Sequence, residues 1–175
     1  ADLGFFNRFG YSKLVAGGGY IWHGKARDTF NRVQLNADWD ITHDDNGRLL
    51  EKELEMYFSL YGPMQSWFRI GGGQRDNVNS TQAHNGGGVA YRQDTLYDEK
   101  FYRLDFEIRP VSGLFLDFSL TTGDQIDFAN NQQGDRLRVD LTMAYHFNRH
   151  LALTADYANS KLDVPGGELF TAQII

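Results

Sequence analysis

Arg136-Leu137-Arg138-Val139-Asp140-Leu141-Thr142-Met143-Ala144-Tyr145-His146-Phe147 changes character at nearly every step. Leu137, Val139, Leu141, Met143, Tyr145 and Phe147 share one parity, and Arg136, Arg138, Asp140, Thr142, Ala144 and His146 the other. An extended strand sends successive side chains to opposite faces, so this period of two predicts a long β-strand with one apolar and one polar side.

The same phase extends outward. Val33, Leu35, Ala37, Trp39 and Ile41 oppose Arg32, Gln34, Asn36, Asp38, Asp40 and Thr42. Leu50, Leu54, Met56, Phe58 and Leu60, interrupted by Lys52, oppose Glu51, Glu53, Glu55, Tyr57, Ser59 and Tyr61. Tyr102, Leu104, Phe106 and Ile108 oppose Arg103, Asp105, Glu107 and Arg109, and Leu114, Leu116, Phe118 and Leu120 oppose Phe115, Asp117, Ser119 and Thr121. Leu151, Leu153, Ala155 and Tyr157 face away from Ala152, Thr154, Asp156 and Ala158. Less regular stretches at 11–23 and 66–73, and a final one at 168–175, complete an all-β, antiparallel up-and-down meander of about eight to nine long strands.

Short connections are expected around Gly24-Lys25-Ala26-Arg27-Asp28, Gly62-Pro63-Met64-Gln65, Pro110-Val111-Ser112-Gly113 and Asn148-Arg149-His150. Long polar loops are expected at 74–98, 122–135 and 159–167, and the Asn-Gly of Asp44-Asp45-Asn46-Gly47 predicts a type I′ hairpin. Tight turns at one end and long loops at the other are the habit of outer-membrane β-barrels.

Composition narrows the classes. The 175 residues carry 17 Lys and Arg against 23 Asp and Glu, a net charge of −6, with 13 Phe, 9 Tyr and 3 Trp and no Cys. No disulfide or thiolate chemistry is available, and no basic stripe exists to neutralise phosphates, so nucleic acid is not an expected partner. The longest uncharged apolar run, Leu14 to Trp22, is far short of the roughly 18 residues a membrane-crossing helix needs. Strands of about 10–13 residues suit a tilted bilayer crossing of roughly 9–11 residues, whereas soluble strands cluster near 5–6. Tyr20, Trp22, Trp39, Trp67, Phe68, Tyr145, Phe147 and Tyr157 fall mostly near strand ends, where interfacial girdles sit.

The expectation is therefore a transmembrane β-barrel in the outer membrane of a Gram-negative bacterium, with the lipid bilayer as its first partner. Val33, Leu35, Trp39, Leu54, Met56, Phe58, Leu104, Phe106, Leu116, Phe118, Leu137, Val139, Leu141, Met143, Leu151 and Leu153 are expected to face lipid. Arg32, Asp38, Asp40, Glu51, Glu53, Glu55, Arg103, Asp105, Glu107, Arg109, Asp117, Arg136, Arg138, Asp140 and Asp156 are expected to line a hydrated lumen. Five bases against ten acids leave that wall at −5, which favours cations or neutral solutes. Arg103 and Arg109 are expected near Asp117. Nine strands do not close an even-numbered barrel, and the final Phe170-Thr171-Ala172-Gln173-Ile174-Ile175 lacks a closing aromatic. The chain is thus read as one domain over 1–175, part of a longer barrel, or as one of several copies closing a barrel together.

Asp2-Leu3-Gly4-Phe5-Phe6-Asn7-Arg8, the segment Tyr11 to Trp22, Asn46-Gly47-Arg48 and Leu169-Phe170-Thr171-Ala172 resemble the C-terminal barrel of a bacterial outer-membrane family of unknown function. Its full-length members begin with a carbohydrate-binding family-9-like domain. The resemblance spans essentially the whole chain through short motifs. It implies an outer-membrane setting and a link to saccharides, and supplies no catalytic residues.

Other chemistry reads weakly. Glu51, Glu53 and Glu55, about 7 Å apart along one face, suit a solvated wall better than a cation site or paired glycosidase acids. Asp44-Asp45-Asn46-Gly47 lacks the alternating ligands and distal Glu of a calcium loop. Ser119 and His146 share the polar face and could form a lipase-like pair if brought together. Gly17-Gly18-Gly19 and Gly71-Gly72-Gly73 lie in strands and suggest close backbone approach; Gly86-Gly87-Gly88 belongs to a mobile loop without the features of a phosphate cradle. No enzyme activity, metal or cofactor is expected. The leading function is porin-like transport or binding of a small solute, with a saccharide as the candidate. The alternatives are a plugged docking barrel gripping an outer-membrane or periplasmic protein through the 74–98 loop, and a soluble ligand-binding β-domain.

Overall fold

A computed structural model describes residues 10–25, 28–84 and 90–175, with side chains 81–92 left undescribed. The described residues form a single antiparallel sheet of nine strands in chain order: β1 (Tyr11–His23), β2 (Arg32–Asp44), β3 (Leu49–Tyr61), β4 (Trp67–His84), β5 (Ala90–Ile108), β6 (Leu114–Asp127), β7 (Gln132–Asn148), β8 (Leu151–Val164) and β9 (Gly167–Ile174). Each strand pairs only with its neighbours in sequence, and β1 and β9 are the two edges of an open sheet.

Register turns the alternation of each strand into two continuous faces. One row runs Trp22, Val33, Leu60, Phe68, Phe106, Phe118, Leu141, Tyr157 from β1 to β8, every member apolar or aromatic. The row Gln34, Ser59, Arg69, Asp105, Ser119, Asp140 from β2 to β7 is wholly polar. A slip of one residue in any strand would mix the two sets, so the pattern holds the register.

Burial on these faces is inverted relative to a water-soluble sheet. Asp40, Thr42, Ser59, Glu99 and Asp105 are buried, whereas Leu35, Leu54, Met56, Phe58, Ile70, Leu137, Leu141, Met143, Leu151 and Leu153 are exposed. Along β3 the half-buried Glu51, Glu53 and Glu55 alternate with exposed Lys52, Leu54 and Met56.

Several sequence expectations need correction. The segments 74–98, 122–135 and 159–167 are not long loops: β4 and β5 continue to His84 and from Ala90, β6 to Asp127, and β8 to Val164. Connections are consequently short at both ends of the sheet, which removes the expected asymmetry, and the segment 74–98 belongs to a paired hairpin. The Asp44-Asp45-Asn46-Gly47 turn is not type I′, since only Gly47 has positive φ, at 76°. Asp44 Oδ1 accepts the backbone N–H groups of Asn46 and Arg48, and Gly47 N–H donates to Asp44 O, giving a type I turn closed by a left-handed glycine. The left-handed pair occurs instead at Met64 (φ 56°) and Gln65 (φ 53°), between β3 and β4. Gly86-Gly87-Gly88, Asp2 to Arg8, and Ala26-Arg27 lie outside the described residues.

Candidate functional site

The polar face owes its burial to long side chains lying over glycines. Gly71 and Gly73 of β4 and Gly123 of β6 stand on this face, opposite Tyr57, Phe101 and Arg136 in register. A Cβ on Gly71 would meet Tyr57 Cδ1 at 2.5 Å, and one on Gly73 would meet Phe101 Cζ at 2.9 Å, so each ring covers the glycine across from it. This aromatic cover protects backbone that a bare glycine would expose.

Charges then interleave over the rings. Asp105 of β5 is only 3% exposed and accepts from Arg69 Nε at 2.8 Å, from Arg103 Nε at 3.0 Å on both oxygens, and from Ser119 Oγ at 2.9 Å. Arg75 Nη2 donates to Glu53, and Lys13 pairs with Asp40 at 2.9 Å. Arg138 and Asp140 form a more exposed two-bond pair on β7, with distances of 2.7 and 3.0 Å. Arginines also sit over inward rings: Arg32 over Tyr61, Arg69 over Tyr57 and Trp67, Arg75 over Phe101, and Arg109 over Phe115, between 3.7 and 5.7 Å from the ring centres. Pairing of this kind lets charged groups occupy a half-buried surface, with Asp40 Oδ1 and Arg75 Nε buried and without a hydrogen-bond partner among the described residues.

All the polar positions singled out in the sequence from Arg32 to Asp156 share this face by register, Arg109 lying one residue beyond the end of β5. Among the described residues six further charged side chains join them by register: Lys13 opposite Thr42, Arg69 opposite Ser59 and Asp105, Arg75 between Glu53 and Glu99, Glu99 itself, and Asp44 and Asp127 at the ends of β2 and β6. Three added cations and three added carboxylates leave the wall at −5. The signal that could have found Arg69 and Arg75 is the parity Trp67, Arg69, Gly71, Gly73, Arg75, Asn77, which the glycine triplet obscured. Trp67 is another correction. It faces inward opposite Tyr61 and Glu107 rather than joining an outer girdle, with its Nε1 buried and without a hydrogen-bond partner among the described residues.

The expected pairings are partly rearranged. Asp117 lies opposite Glu107, while Arg103 binds Asp105 and Arg109 approaches Glu107 at 3.9 Å. Ser119 lies opposite Asp140, six residues along β7 from His146, and donates to Asp105; no Ser–His pair forms. Asp40, Glu51 and Glu53 place carboxylate oxygens within 4.8 Å of one another, but Lys13 and Arg75 lie against the group, so it reads as an ion-pair network rather than a cation site.

A recess of about 370 Å³ in this face lies between β3 and β7. Its walls include Glu55, Tyr57, Arg75, Phe101, Arg103 and Arg136. On the outer face, Tyr20 and Trp22 pack with ring centres 4.5 Å apart, and Tyr145 and Phe147 meet edge-on at 4.6 Å, all towards the same ends of the strands. No family model, no curated protein and no solved structure matches this chain.

Proposed function

We propose that the sheet is the wall of an outer-membrane β-barrel whose polar face lines a hydrated lumen for the passage or binding of a small solute. The observation that carries this reading is the inverted burial: the ion-paired face is the enclosed one, and a predominantly apolar surface, interrupted by Asn159 and Lys161 on β8, faces outward. A sheet in water gains free energy by covering such a surface, at roughly 25 cal/mol per Å², whereas in a bilayer it is already in its preferred medium. The outer face of β7 from Leu137 to Phe147 covers ten steps of about 3.4 Å, which at a tilt near 40° spans about 25 Å of membrane normal, the height of a barrel's apolar band. Above it, Lys52, Asp76, Asp98 and Lys100 bring charge to the outer face where that band would end.

The open edges also favour such an assembly, because unpaired strand edges are not tolerated in hydrocarbon and require further strands from this chain or another copy. The family resemblance adds a saccharide as the candidate solute. The residual acidic surplus favours cations over anions in the permeating stream.

Planar-bilayer recording of the reconstituted protein tests the proposal. Discrete conductance with a cation-leaning reversal potential in a salt gradient is expected. Absence of conductance, or anion selectivity, would count against an open lumen, and a monodisperse chain without detergent would defeat the lipid-facing assignment.

A further inference from the structure

The recess brings charges of both signs together, its lining carrying Arg75, Arg103 and Arg136 with the carboxylates Glu55, Glu99 and Asp124. One row across it reads Glu55, Gly73, Phe101, Gly123, Arg136. The Phe101 ring lies over Gly73, and Gly123 leaves its other flank without a side chain. Neither glycine can be replaced without a clash: a Cβ would meet Leu54 O at 2.5 Å and Lys100 O at 2.1 Å, respectively.

The cations on the far side of the recess have donor capacity left over. Arg136 is half-buried, makes no ion pair among the described residues, and has one long hydrogen bond, 3.4 Å, to Gln125. Arg103 engages Asp105 only through Nε, and Asp105 already receives Arg69 and Ser119. Two guanidinium forks thus border the rings of Phe101 and Tyr57, which also carry Arg75 and Arg69 at 5.7 and 5.1 Å from their centres. A planar fork matches a carboxylate in two parallel hydrogen bonds, and a ring face offers an apolar surface to the C–H face of a sugar. The volume falls at the lower end of the roughly 300–1,000 Å³ typical of small-molecule sites.

We infer that the recess is a subsite for a saccharide carrying a carboxylate, with the acid group held by Arg136 and Arg103 and the sugar ring seated against Phe101. This rests on the lumen reading above and makes its solute specific. It is compatible with a wall of net negative charge, because selectivity of the ion stream reports the whole wall, whereas binding reports the spare guanidinium donors of one recess.

Calorimetric titration of the protein in detergent micelles with D-glucuronate, D-glucose and acetate tests the subsite. Glucuronate is expected to bind at least about tenfold tighter than either glucose or acetate. Equality with glucose would show that the forks contribute nothing, equality with acetate that the ring floor contributes nothing, and either result overturns the inference. Arg136→Lys keeps the charge and removes the fork, and should lose about tenfold in glucuronate affinity with glucose unchanged. Phe101→Leu should weaken glucuronate and leave acetate unaltered, and Arg149→Gln, at the β7–β8 turn, serves as the charge control. Far-UV circular dichroism of each variant verifies the folded sheet, and the wild-type comparison decides the matter even where a variant fails to fold. A protein that conducts yet shows no preference for glucuronate refutes the subsite alone, while one that neither conducts nor needs detergent refutes the barrel.

Discussion

Phe101 lies across β4 and β5 against Gly73, its ring filling the space that a side chain at 73 would take. The relationship explains why a glycine triplet occurs inside a regular strand: large side chains on the neighbouring strands fold over β4, and its backbone must come close beneath them. Gly73→Ala should therefore destabilise the sheet by about 1–3 kcal/mol, the usual cost of overpacking where the nearest obstacle is backbone. Gly18 on β1 meets nothing within 4 Å, so Gly18→Ala should be neutral or stabilise slightly. Urea unfolding of the two variants in lipid vesicles measures the contrast; equal effects would remove the packing explanation.

Asp105 and Asp140 are both paired carboxylates on the polar face, yet they should respond differently to replacement. Asp105 is enclosed and receives two arginines and a serine, whereas Asp140 pairs with an Arg138 that is half in solvent. Asp105→Asn leaves two guanidinium groups without their shared counter-charge and should cost about 1.5–3 kcal/mol. Asp140→Asn should cost less than about 1 kcal/mol, the range of solvent-screened pairs. The same unfolding assay ranks them, and a larger loss at Asp140 would contradict the central place given to Asp105.

Met64 and Gln65 adopt left-handed backbone at a turn that contains no glycine at those two positions. The turn is held by Ser66 N–H donating to Pro63 O and by Arg109 N–H donating to Met64 O. Left-handed geometry costs a side-chain-bearing residue about 1 kcal/mol or more, so Gln65→Gly should stabilise by roughly that amount, less the entropy that glycine adds to the unfolded chain. Net destabilisation would show that this side chain makes contacts that outweigh the strain.

The fold was legible where the two faces differ in polarity and illegible where they do not. From Arg136 to Phe147 every second residue is apolar, and the strand, its faces and its phase follow directly. From Gln74 upward, β4 and β5 present Gln74, Asp76, Lys100 and Asp98 outward and Arg75, Asn77, Glu99 and Tyr97 inward. Polar residues on both faces erase the period of two, although the hydrogen-bonded ladder continues, so a paired hairpin looks like a loop. The candidate site was half visible for a related reason. Glu53 and Glu55 stood out as a row, but Arg75 and Phe101, which complete the recess, are set by register across strands rather than by spacing along one.

Asp127, at the end of β6, accepts from the backbone and side-chain N–H groups of Asn130 and from Gln132 Nε2. These bonds, led by the Asn130 side chain, hold its carboxyl below the ordinary carboxylate value. A depressed folded-state value means that the contribution to the turn is fully present above the ordinary carboxylate range and fades as pH falls through the lowered one. The amide resonance of Asn130 should therefore move only in strongly acidic solution, at lower pH than a free aspartate. A transition at the ordinary aspartate value would show that the turn bonds are not maintained.

Leu141 and Leu96 offer the sharpest test of what surrounds the outer face. Leu141 is 43% exposed and sits in the apolar row that crosses the sheet, whereas Leu96 is 60% exposed, opposite Val78 on the hairpin extension beyond the charged positions Asp76 and Asp98. If lipid covers the central row, Leu141→Arg should cost about 2–4 kcal/mol, the penalty near a bilayer midplane, and Leu96→Arg no more than about 1 kcal/mol. If water covers both, each change is a surface substitution within about 0.5 kcal/mol of neutral. Reversible unfolding from vesicles distinguishes the two: a penalty that rises with proximity to the central row is the mark of a membrane, and a flat response at both sites is the mark of solvent.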